Sequence, residues 1–417
     1  MNFPIRTTAF RIGGRLRSHL PAGQDYWRLL IAGICLHSVR WIETIAFAIF
    51  VYQQTSAPFL VAAILLLRML PMGLLGAFLG ALTDRLDRRT GLLLMALKIL
   101  VSALVLLALA WSGALQVWHL AVASFVNGIG WAADHPVRRM MIGEVVGLDR
   151  LNNGMSIEVA ANQATRVAGP ALAGIVLASF GLIGCFVVNA ALGVVALVAA
   201  FGLKYRNTPH HSVAGRLWSN IVDGMKAAHR DERLRGTLIV TIVSNIFGWP
   251  CTSMIPVIAQ DNLHLSTSAI GILASTDGMG ALLGSLVIAF AARPQHYNPL
   301  YIGGAIGTLV LMILFALAPN AGAAAAALMV GGVFGAGFTI MQATLVYLLI
   351  PPDLRGRILG LLSVCIGVGP IGFLLVGALA QAYGAKSAVI VMSIVGLIAL
   401  ALLRNQWLVL LRRNATA

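Results

Sequence analysis

The stretch Gly80-Ala-Leu-Thr-Asp-Arg-Leu-Asp-Arg-Arg89 joins two long apolar runs, residues 58–82 and 91–111. Each run is long enough for a helix that crosses a bilayer, which takes about 20 residues. The connecting stretch is short and rich in arginine, as the cytoplasmic loops of membrane proteins are. The pattern therefore predicts two membrane-spanning helices joined by a short basic loop.

The composition extends this interpretation to the whole chain. Of the 417 residues, 59% are hydrophobic and 10% are charged, whereas a soluble domain has about 45–50% apolar and about 25% charged residues. A soluble fold cannot bury so much apolar surface, and disorder requires low hydrophobicity. Long unbroken apolar runs favour helices over the short alternating strands of a transmembrane barrel. We therefore expect an all-α integral membrane protein.

Twelve membrane-spanning helices are predicted from the apolar runs. They lie at residues 29–51, 58–82, 91–111, 115–136, 156–178, 182–203, 236–258, 267–291, 299–318, 323–349, 357–382 and 386–411. The first run is too long for the apolar region of a signal peptide and contains Arg40 and Glu43, so we interpret it as a helix that remains in the protein.

The basic residues predict how the chain is oriented. With the N-terminal tail placed in the cytoplasm, every Lys and Arg outside the spans except Lys386 lies on the cytoplasmic side. This asymmetry is typical of multi-pass proteins of the cell inner membrane and predicts that both termini are cytoplasmic. The net charge of +15 is scattered over short loops, so we do not interpret it as a nucleic-acid-binding surface.

The longest predicted loop divides the chain into two similar halves. We predict a cytoplasmic tail at 1–28, a six-helix bundle at 29–203, a central cytoplasmic loop at 204–235, a second six-helix bundle at 236–411 and a tail at 412–417. Gly169-Pro170 in the fifth span is repeated as Gly369-Pro370 in the eleventh. Two pseudo-symmetric halves are typical of secondary transporters, which bind substrate between them.

The loop at residues 80–89 resembles the signature G-x-L-x-D-R-x-G-R-R of the major facilitator superfamily. The matching residues include Gly80, Asp84, Arg85, Arg88 and Arg89, and Asp87 replaces the second glycine of the signature. The resemblance implies the twelve-helix major facilitator fold and a cytoplasmic latch. In this latch Asp84 would bind the start of span eleven, with Arg138 as a second partner, and would stabilise the outward-open state.

Two further stretches resemble the branch of this superfamily that contains the enterobactin exporter and macrolide efflux pumps. They are Asp134-His-Pro-Val-Arg-Arg139 and Arg166-Val-Ala-Gly-Pro-Ala-Leu-Ala-Gly174. The resemblance of the second stretch, in which Arg166, Gly169, Pro170 and Gly174 stand out, implies export. The alternative is a proline bend without directional meaning. Ser124 occupies the place where many drug–proton antiporters carry an arginine, so a proton relay of that type is in doubt.

Charged residues inside predicted spans are candidate functional residues, because their burial in a membrane is costly. His37, Arg40 and Glu43 share one stripe of the first span. Arg40 and Glu43 either neutralise each other or form a site for a proton or a charged substrate. Asp277 in span eight has no charged neighbour in sequence, and burial favours the neutral, proton-carrying form of a carboxyl group. The alternative is a hydrated or hydrogen-bonded Asp277 near the end of the span.

Polar and aromatic residues near the middle of other spans are candidates to line a central cavity, although each could instead form a contact between helices. The candidates are Asn127, Trp131, Asn162, Trp249 and Gln342. An apolar cavity with few polar groups suits amphipathic organic compounds.

The sequence lacks a phosphate-binding Gly-x-x-x-x-Gly-Lys-Ser/Thr loop and a His–carboxylate cluster. We therefore expect neither ATP-driven transport nor an enzyme, and no cofactor or metal site. The predicted function is proton-coupled export of an amphipathic organic compound, either a siderophore or a drug. Alternatives are a lysophospholipid or metal-ion carrier of the same fold, or a transporter-like membrane sensor. The expected partners are the small substrate, protons and the lipid bilayer, with a monomeric protein and no nucleic acid.

Overall fold

The computed structural model describes residues 23–85, 87–147, 150–205, 229, 231–349 and 355–411, and the regular secondary structure in these ranges is helical. The helices of the first half are α1 (Gln24–Thr55), α2 (Pro58–Arg85), α3 (Arg88–Trp111), α4 (Val117–Val146) and α5 (Leu151–Phe201). Those of the second half are α6 (Glu232–Val243), α7 (Ile255–Asp261), α8 (Thr267–Ala291), α9 (Tyr297–Ala316), α10 (Ala321–Leu349), α11 (Arg355–Ile366), α12 (Gly369–Tyr383), α13 (Ala385–Leu402) and the short α14 (Arg404–Trp407).

The predicted all-α membrane fold is confirmed. Within the described ranges, nine helices are long and apolar enough to cross a membrane. One of them is α5, whose backbone has φ 64° and ψ −167° at Gly181. The Sγ atom of Cys185 lies 3.9 Å from the carbonyl oxygen of Ala173, whereas a straight helix would separate these residues by about 18 Å. The chain therefore reverses at Gly181, between predicted spans five and six, and the full count of twelve stays a prediction.

Predicted span seven is an interrupted helix. After α6 the chain forms a π-helical turn at Ser244–Gly248 and a 3-10 helix at Trp249–Met254 before α7 begins. Pro250 lies at the second residue of the 3-10 helix, and it cannot donate a backbone hydrogen bond. The helix is therefore irregular around Trp249-Pro250, within a largely buried segment.

Five turns at one end of the bundle contain a residue with positive φ. Ser56, Gly113, Gly181, His264 and Gly384 all have positive φ, between 49° and 83°. Successive helices run in opposite directions, which places these five turns at the same end, named here the Tyr52 end after the residue near the first turn. The opposite end is named the Tyr205 end. Left-handed residues reverse the chain within few residues, so connections at the Tyr52 end are short.

Among the described residues, the two halves contact each other most extensively through α5 with α8 and α2 with α12. The first pair is in contact through glycine: a Cβ atom added to Gly174 would lie 2.8 Å from the Cα of Gly271. At a second crossing, a Cβ atom on Gly73 would lie 2.9 Å from the carbonyl oxygen of Gly367. Small residues permit such close backbone approach in lipid. The glycines therefore bring the two halves into direct contact.

The buried apolar residues differ between the two ends. At the Tyr52 end, one cluster contains residues of both halves, including Phe47, Phe186, Ile255 and Phe315. Toward the Tyr205 end, the described apolar residues form separate clusters in the first half, around Met141, and in the second half. The halves thus share a core at the Tyr52 end, and the space between them lies next to that core.

Candidate functional site

A cavity of about 810 Å³, including the open space at its mouth, lies between the two halves. Its walls are largely apolar. The charged and aromatic residues that line it are Arg40, Trp41, Arg68, Trp131 and Arg166 from the first half, and Trp249, Asp277 and Phe373 from the second.

A second cavity of about 470 Å³ lies beside it within the first half. The two share Arg40, Arg68 and Trp131. Most residues in the wall of the smaller cavity are charged or polar, because it is also lined by His37, Glu43, Lys98, Asn127 and Asp134. We name the two the central cavity and the side cavity. The central cavity contacts both halves, as expected of a site that opens alternately to the two sides of a membrane.

Glu43 is held by groups from two other helices. Its Oε2 atom lies 2.5 Å from Nη2 of Arg68, and both carboxylate oxygens accept hydrogen bonds of 3.0 Å from the side-chain amide of Asn127. The side chains of Glu43 and Arg68 are only 3% and 6% exposed. The ion pair between Glu43 and Arg40 that the sequence suggested is not formed. Arg68 on α2 binds the carboxylate instead.

Arg40 has no ion pair and no side-chain hydrogen bond among the described residues. The central carbon of its guanidinium group lies 4.1 Å from the ring centroid of Trp131 and 4.9 Å from that of Trp41. These distances are typical of cation–π contacts. Arg40 is half-buried and lines both cavities, so its charge faces space that a ligand can occupy.

Asp277 is paired across the two halves. Its Oδ2 atom lies 2.6 Å from Nη2 of Arg166, and each side chain is 17% exposed. Arg166 also lies near Trp41 and Trp249, at 5.7 and 5.8 Å from the ring centroids. The sequence places no charged residue near Asp277. The structure instead joins Asp277 to Arg166, which is far away in the chain.

A third charged group lies in the first half around Arg138. The guanidinium of Arg138 is 2.9 Å from Asp134, 3.2 Å from Glu158 and 3.1 Å from the ring of His37. All four side chains are buried. His37 therefore belongs to this cluster as well as to the wall of the side cavity. Sequence reasoning did not assign the buried carboxylate of Glu158 to this arrangement.

The basic loop motif begins in α2, which contains Gly80 and ends at Arg85. The side chains of Asp84 and Arg85 lie outside the described residues, as do those at 351–357, so the proposed latch remains a prediction. Asp87 caps α3 by accepting a hydrogen bond from the backbone N–H of Thr90. This cap explains why an aspartate suits the position of the signature's second glycine.

The two following arginines of the motif contact the Tyr205 end of the first half. Arg88 donates to Glu144 and to the hydroxyl of Tyr205, and Arg89 donates to the carbonyl of Phe201 at 2.8 Å. Tyr205 itself donates to Glu144. Burial and this hydrogen bond raise the pKa of Tyr205 to about 12. The two arginines thus connect α3 to neighbouring segments of the same half.

The span-five motif lies at close helix contacts. A Cβ atom on Gly169 would lie 2.4 Å from the Cβ of Trp41, and Gly174 contacts Gly271 of the second half. Pro170 lines the central cavity. The motif therefore places the α5 backbone directly against α1 on one side and α8 on the other, with Arg166 one turn away from Pro170.

The remaining predicted cavity residues divide into two groups. Trp131 and Trp249 line the central cavity, and Asn127 lines the side cavity. Gln342 instead donates to the hydroxyl of Thr241 at 3.1 Å, which is a buried contact between helices. Asn162 contributes its backbone carbonyl to a hydrogen bond with Thr165 and lines neither of the two cavities.

Lys98, to which the sequence assigned no function, does not extend to a membrane interface. Its ammonium group donates to the carbonyls of Val126 and Asn127 at 3.3 Å. In the part of the chain that the structure describes, no cluster of three or more His, Cys, Asp or Glu residues has the arrangement of a metal site.

Comparisons with known proteins agree with this architecture. Residues 18–415 match the transmembrane secretion effector family. The chain is 25% identical to the multidrug efflux pump Tap of Mycolicibacterium fortuitum over 381 residues, which cover 88% of this chain and 91% of that protein. It is 21% identical to macrolide efflux protein A of Streptococcus pyogenes over 350 residues, 82% and 86% of the two chains.

The fold also matches solved transporter structures. The crystal structure of the nucleoside transporter NupG superposes with a TM-score of 0.71 at 14% identity, covering 92% of this chain and 99% of that one. At this identity the likeness concerns the fold. The match over residues 18–415 shows that this multi-pass membrane protein belongs to the transmembrane secretion effector family of major facilitator superfamily transporters.

Proposed function

We propose that the protein exports an amphipathic organic compound, such as a siderophore or a hydrophobic drug, across the inner membrane in exchange for protons. Relatives that are efflux pumps support the direction of transport. The central cavity supports the amphipathic character of the cargo, since it combines apolar walls with tryptophan and a few charged groups.

The ion pair between Arg166 and Asp277 carries the proposal. It lies at the central cavity and joins one half to the other. A proton that binds Asp277 removes the negative charge and therefore the attraction to Arg166. The contact between α5 and α8 is then weaker, and the two halves can change their relative position. Protonation and the exposure of the cavity would thus be coupled through one contact.

Glu43 is the second candidate for the proton site, and its surroundings make it the less accessible one. Its carboxylate is held by Arg68 and by Asn127, and its side chain is 3% exposed, compared with 17% for Asp277. All three residues belong to the same half, so that breaking this pair does not by itself release one half from the other. We therefore assign proton coupling to Asp277 and a supporting role to Glu43.

Transport by the purified protein in liposomes with an imposed pH gradient tests this assignment. Interior pH would be recorded while a catecholate siderophore, a macrolide or ethidium is added to wild type, Asp277→Asn, Glu43→Gln and Glu232→Gln. Glu232 is an exposed carboxylate in the first turn of α6 and serves as the control. We expect substrate-dependent proton flux in wild type and in the control.

In Asp277→Asn we expect the proton flux to fall at least about tenfold, the loss typical of a missing proton-transfer group. Exchange of labelled substrate without a gradient should persist in this variant, because it requires no net proton movement. Unchanged flux in Asp277→Asn would exclude Asp277 as the carrier. Loss in Glu43→Gln alone, with normal folding, would move the assignment to Glu43.

We further propose that both termini are cytoplasmic, that the protein is a monomer, and that Asp84 belongs to a latch at the start of span eleven. Arg88 and Arg89 support the latch because they fix the neighbouring segment to Glu144 and Phe201. Single cysteines placed at Lys386 and Arg404 should react with impermeant maleimides from opposite sides of the membrane. Asp84→Asn should shift the conformational populations reported by such labels at the two ends.

A further inference from the structure

We infer that the central cavity selects organic anions, and that Arg40 binds the carboxylate, or a similar anionic group, of the substrate. Building on the proposed function, this specifies the chemical class of the cargo. Trp41 and Trp131, which flank the guanidinium of Arg40, would contact the apolar part of the same molecule.

The charges around the cavity are unequal. Arg40, Arg68 and Arg166 line it, and Asp277 is the carboxylate in its wall. Asp277 is already paired with Arg166, and Glu43, in the adjoining side cavity, is paired with Arg68. Arg40 has neither an ion pair nor a side-chain hydrogen bond with a described residue. One half-buried positive charge therefore faces the cavity without a contacting carboxylate from the described residues, and Asp134 acts on it only through a longer-range electrostatic interaction. A charge that lacks a direct partner is costly to remove from water.

The unpaired polar atoms of the same wall are donors. In the described chain, Nε1 of Trp41, Nε1 of Trp131, Nε of Arg68 and Nε of Arg166 are buried without a hydrogen-bond partner. None of these groups can accept a hydrogen bond. Leaving a buried donor unpaired costs about 1–3 kcal/mol. These four atoms are themselves shielded from the cavity, so they show the donor character of its wall residues rather than contacts ready for a ligand. An ammonium group, which has only donors to offer, would find no acceptor among them.

The side cavity differs in this respect, because Oδ1 of Asn127 is an unpaired acceptor there. The preference for acceptors is therefore a property of the central cavity, which is also the larger space and the one between the halves. A cationic drug would meet the guanidinium groups of Arg40, Arg68 and Arg166. The carboxylates of Asp277 and, in the adjoining side cavity, Glu43 are already paired with arginine. The arrangement thus favours an amphipathic anion and disfavours an amphipathic amine of equal size.

Binding of a matched series of probes tests this. The series consists of 4-(1-pyrenyl)butyrate, its neutral amide and the corresponding primary amine, which share one apolar body. Energy transfer from tryptophan to pyrene would report saturable binding to the protein in nanodiscs, corrected with empty nanodiscs. The variants are Arg40→Gln, Arg40→Lys and the control Arg293→Gln, whose arginine lies outside both cavities.

We expect wild type to bind the carboxylate at least about tenfold more tightly than the amine, the preference that one charge-assisted hydrogen bond provides. Arg40→Gln should abolish the preference, Arg40→Lys should retain part of it, and Arg293→Gln should leave it unchanged. The melting temperature of each variant shows that the loss is not due to misfolding. Competition against the pyrenyl carboxylate by lysophosphatidylglycerol, and separately by a soluble carboxylate that contains a ring, distinguishes a lipid anion from a soluble one.

Equal affinity for the three probes, tighter binding of the amine, no saturable binding, or an unchanged preference in Arg40→Gln would each overturn the inference. The assay requires neither transport nor protons, so its outcome is separable from that of the proposed function. Proton-coupled export of an amine by a protein without anion preference would retain the function and reject the inference. Anion preference without proton flux would retain the inference and reject the proposed function.

Discussion

Two ion pairs lie at the cavities of this transporter, one almost fully buried and one partly exposed, and they are built differently. Glu43 and Arg68 belong to the same half, are almost fully buried, and have additional hydrogen bonds from Asn127 and to the backbone of Arg40. Arg166 and Asp277 belong to different halves, face the central cavity, and are each 17% exposed. The first pair is supported by several hydrogen-bonding groups, whereas the carboxylate of the second is held by one contact of 2.6 Å with Arg166.

This difference suggests a division of labour. A pair within one half moves with that half as a unit, so it stabilises the structure in every conformation of the transport cycle. A pair between halves has to stretch or break when the halves move, so its strength influences which conformation is populated. The following predictions compare the two pairs, from the largest expected loss of stability to the smallest.

Removal of one member of the buried pair should have the largest effect. Glu43→Ala leaves the guanidinium of Arg68 buried without a carboxylate, and we expect the free energy of unfolding to fall by about 3–5 kcal/mol. Unfolding in SDS titrations of the detergent-solubilised protein measures this. The double variant Glu43→Gln, Arg68→Met removes both charges and should recover most of the loss. A loss below about 1 kcal/mol in Glu43→Ala would contradict a framework role for the pair.

Asn127→Leu should have the next largest effect, because Asn127 donates to both oxygens of Glu43. Hydrogen bonds to a charged group contribute about 1.5–3 kcal/mol, and the same titration should show a loss in that range. Gln342→Leu is the matched control: it removes a buried bond to the neutral hydroxyl of Thr241 and should cost only about 1 kcal/mol. Equal losses in the two variants would show that the charge of Glu43 adds nothing.

Gly174→Ala tests the contact between the helices that carry Arg166 and Asp277. The added methyl group would meet backbone atoms of Gly271 and Thr267 at 2.8 and 2.9 Å, so α5 and α8 must separate slightly. We expect a loss of about 1–2 kcal/mol and a lower transport rate. Gly303→Ala, where no atom lies within 4 Å of the new Cβ, should be neutral or slightly stabilising. Identical behaviour of both variants would argue against tight packing at Gly174.

Asp277→Asn should have the smallest effect on stability, because the pair is partly exposed and has one contact. We expect a loss of no more than about 1 kcal/mol, although proton-coupled transport is abolished. A double-mutant cycle with Arg166→Gln should give a coupling energy of about 0.5–1 kcal/mol. A coupling energy as large as that between Glu43 and Arg68 would remove the distinction between the two pairs.

The sequence was sufficient for the helices but not for the partners of their charged residues. Apolar runs predict helices, and the reversal at Gly181 lies between two predicted spans, because a glycine between apolar runs is a recognisable turn signal. Residues three apart on one helix suggested that Glu43 binds Arg40. Hydropathy indicates the depth of a residue in the membrane but not which neighbouring helix it faces, so Arg68 could not be recognised as the partner.

The pair of Arg166 with Asp277 illustrates the same limit over a longer distance. It depends on the packing of α5 against α8, which in turn depends on glycines such as Gly174 and Gly271. Single glycines in a glycine-rich chain do not reveal which other helix they contact. The structure has the predicted residues Trp131 and Trp249 at the cavity, since midspan aromatic residues are common in such walls. Gln342, which was also predicted to line it, instead forms a buried contact between helices.

The apolar cluster shared by the halves at the Tyr52 end has a consequence for the resting state. With the predicted topology, this end faces outward, and its opening must separate residues such as Phe47 and Ile255 and expose them. Each large apolar side chain contributes about 1.5–3 kcal/mol when buried. If the Tyr52 end faces outward, as the basic residues predict, this apolar contact biases the gate shut toward the exterior, and the empty carrier would open preferentially toward the cytoplasm. Such a bias would give the transporter a loading direction before any ion gradient acts on it.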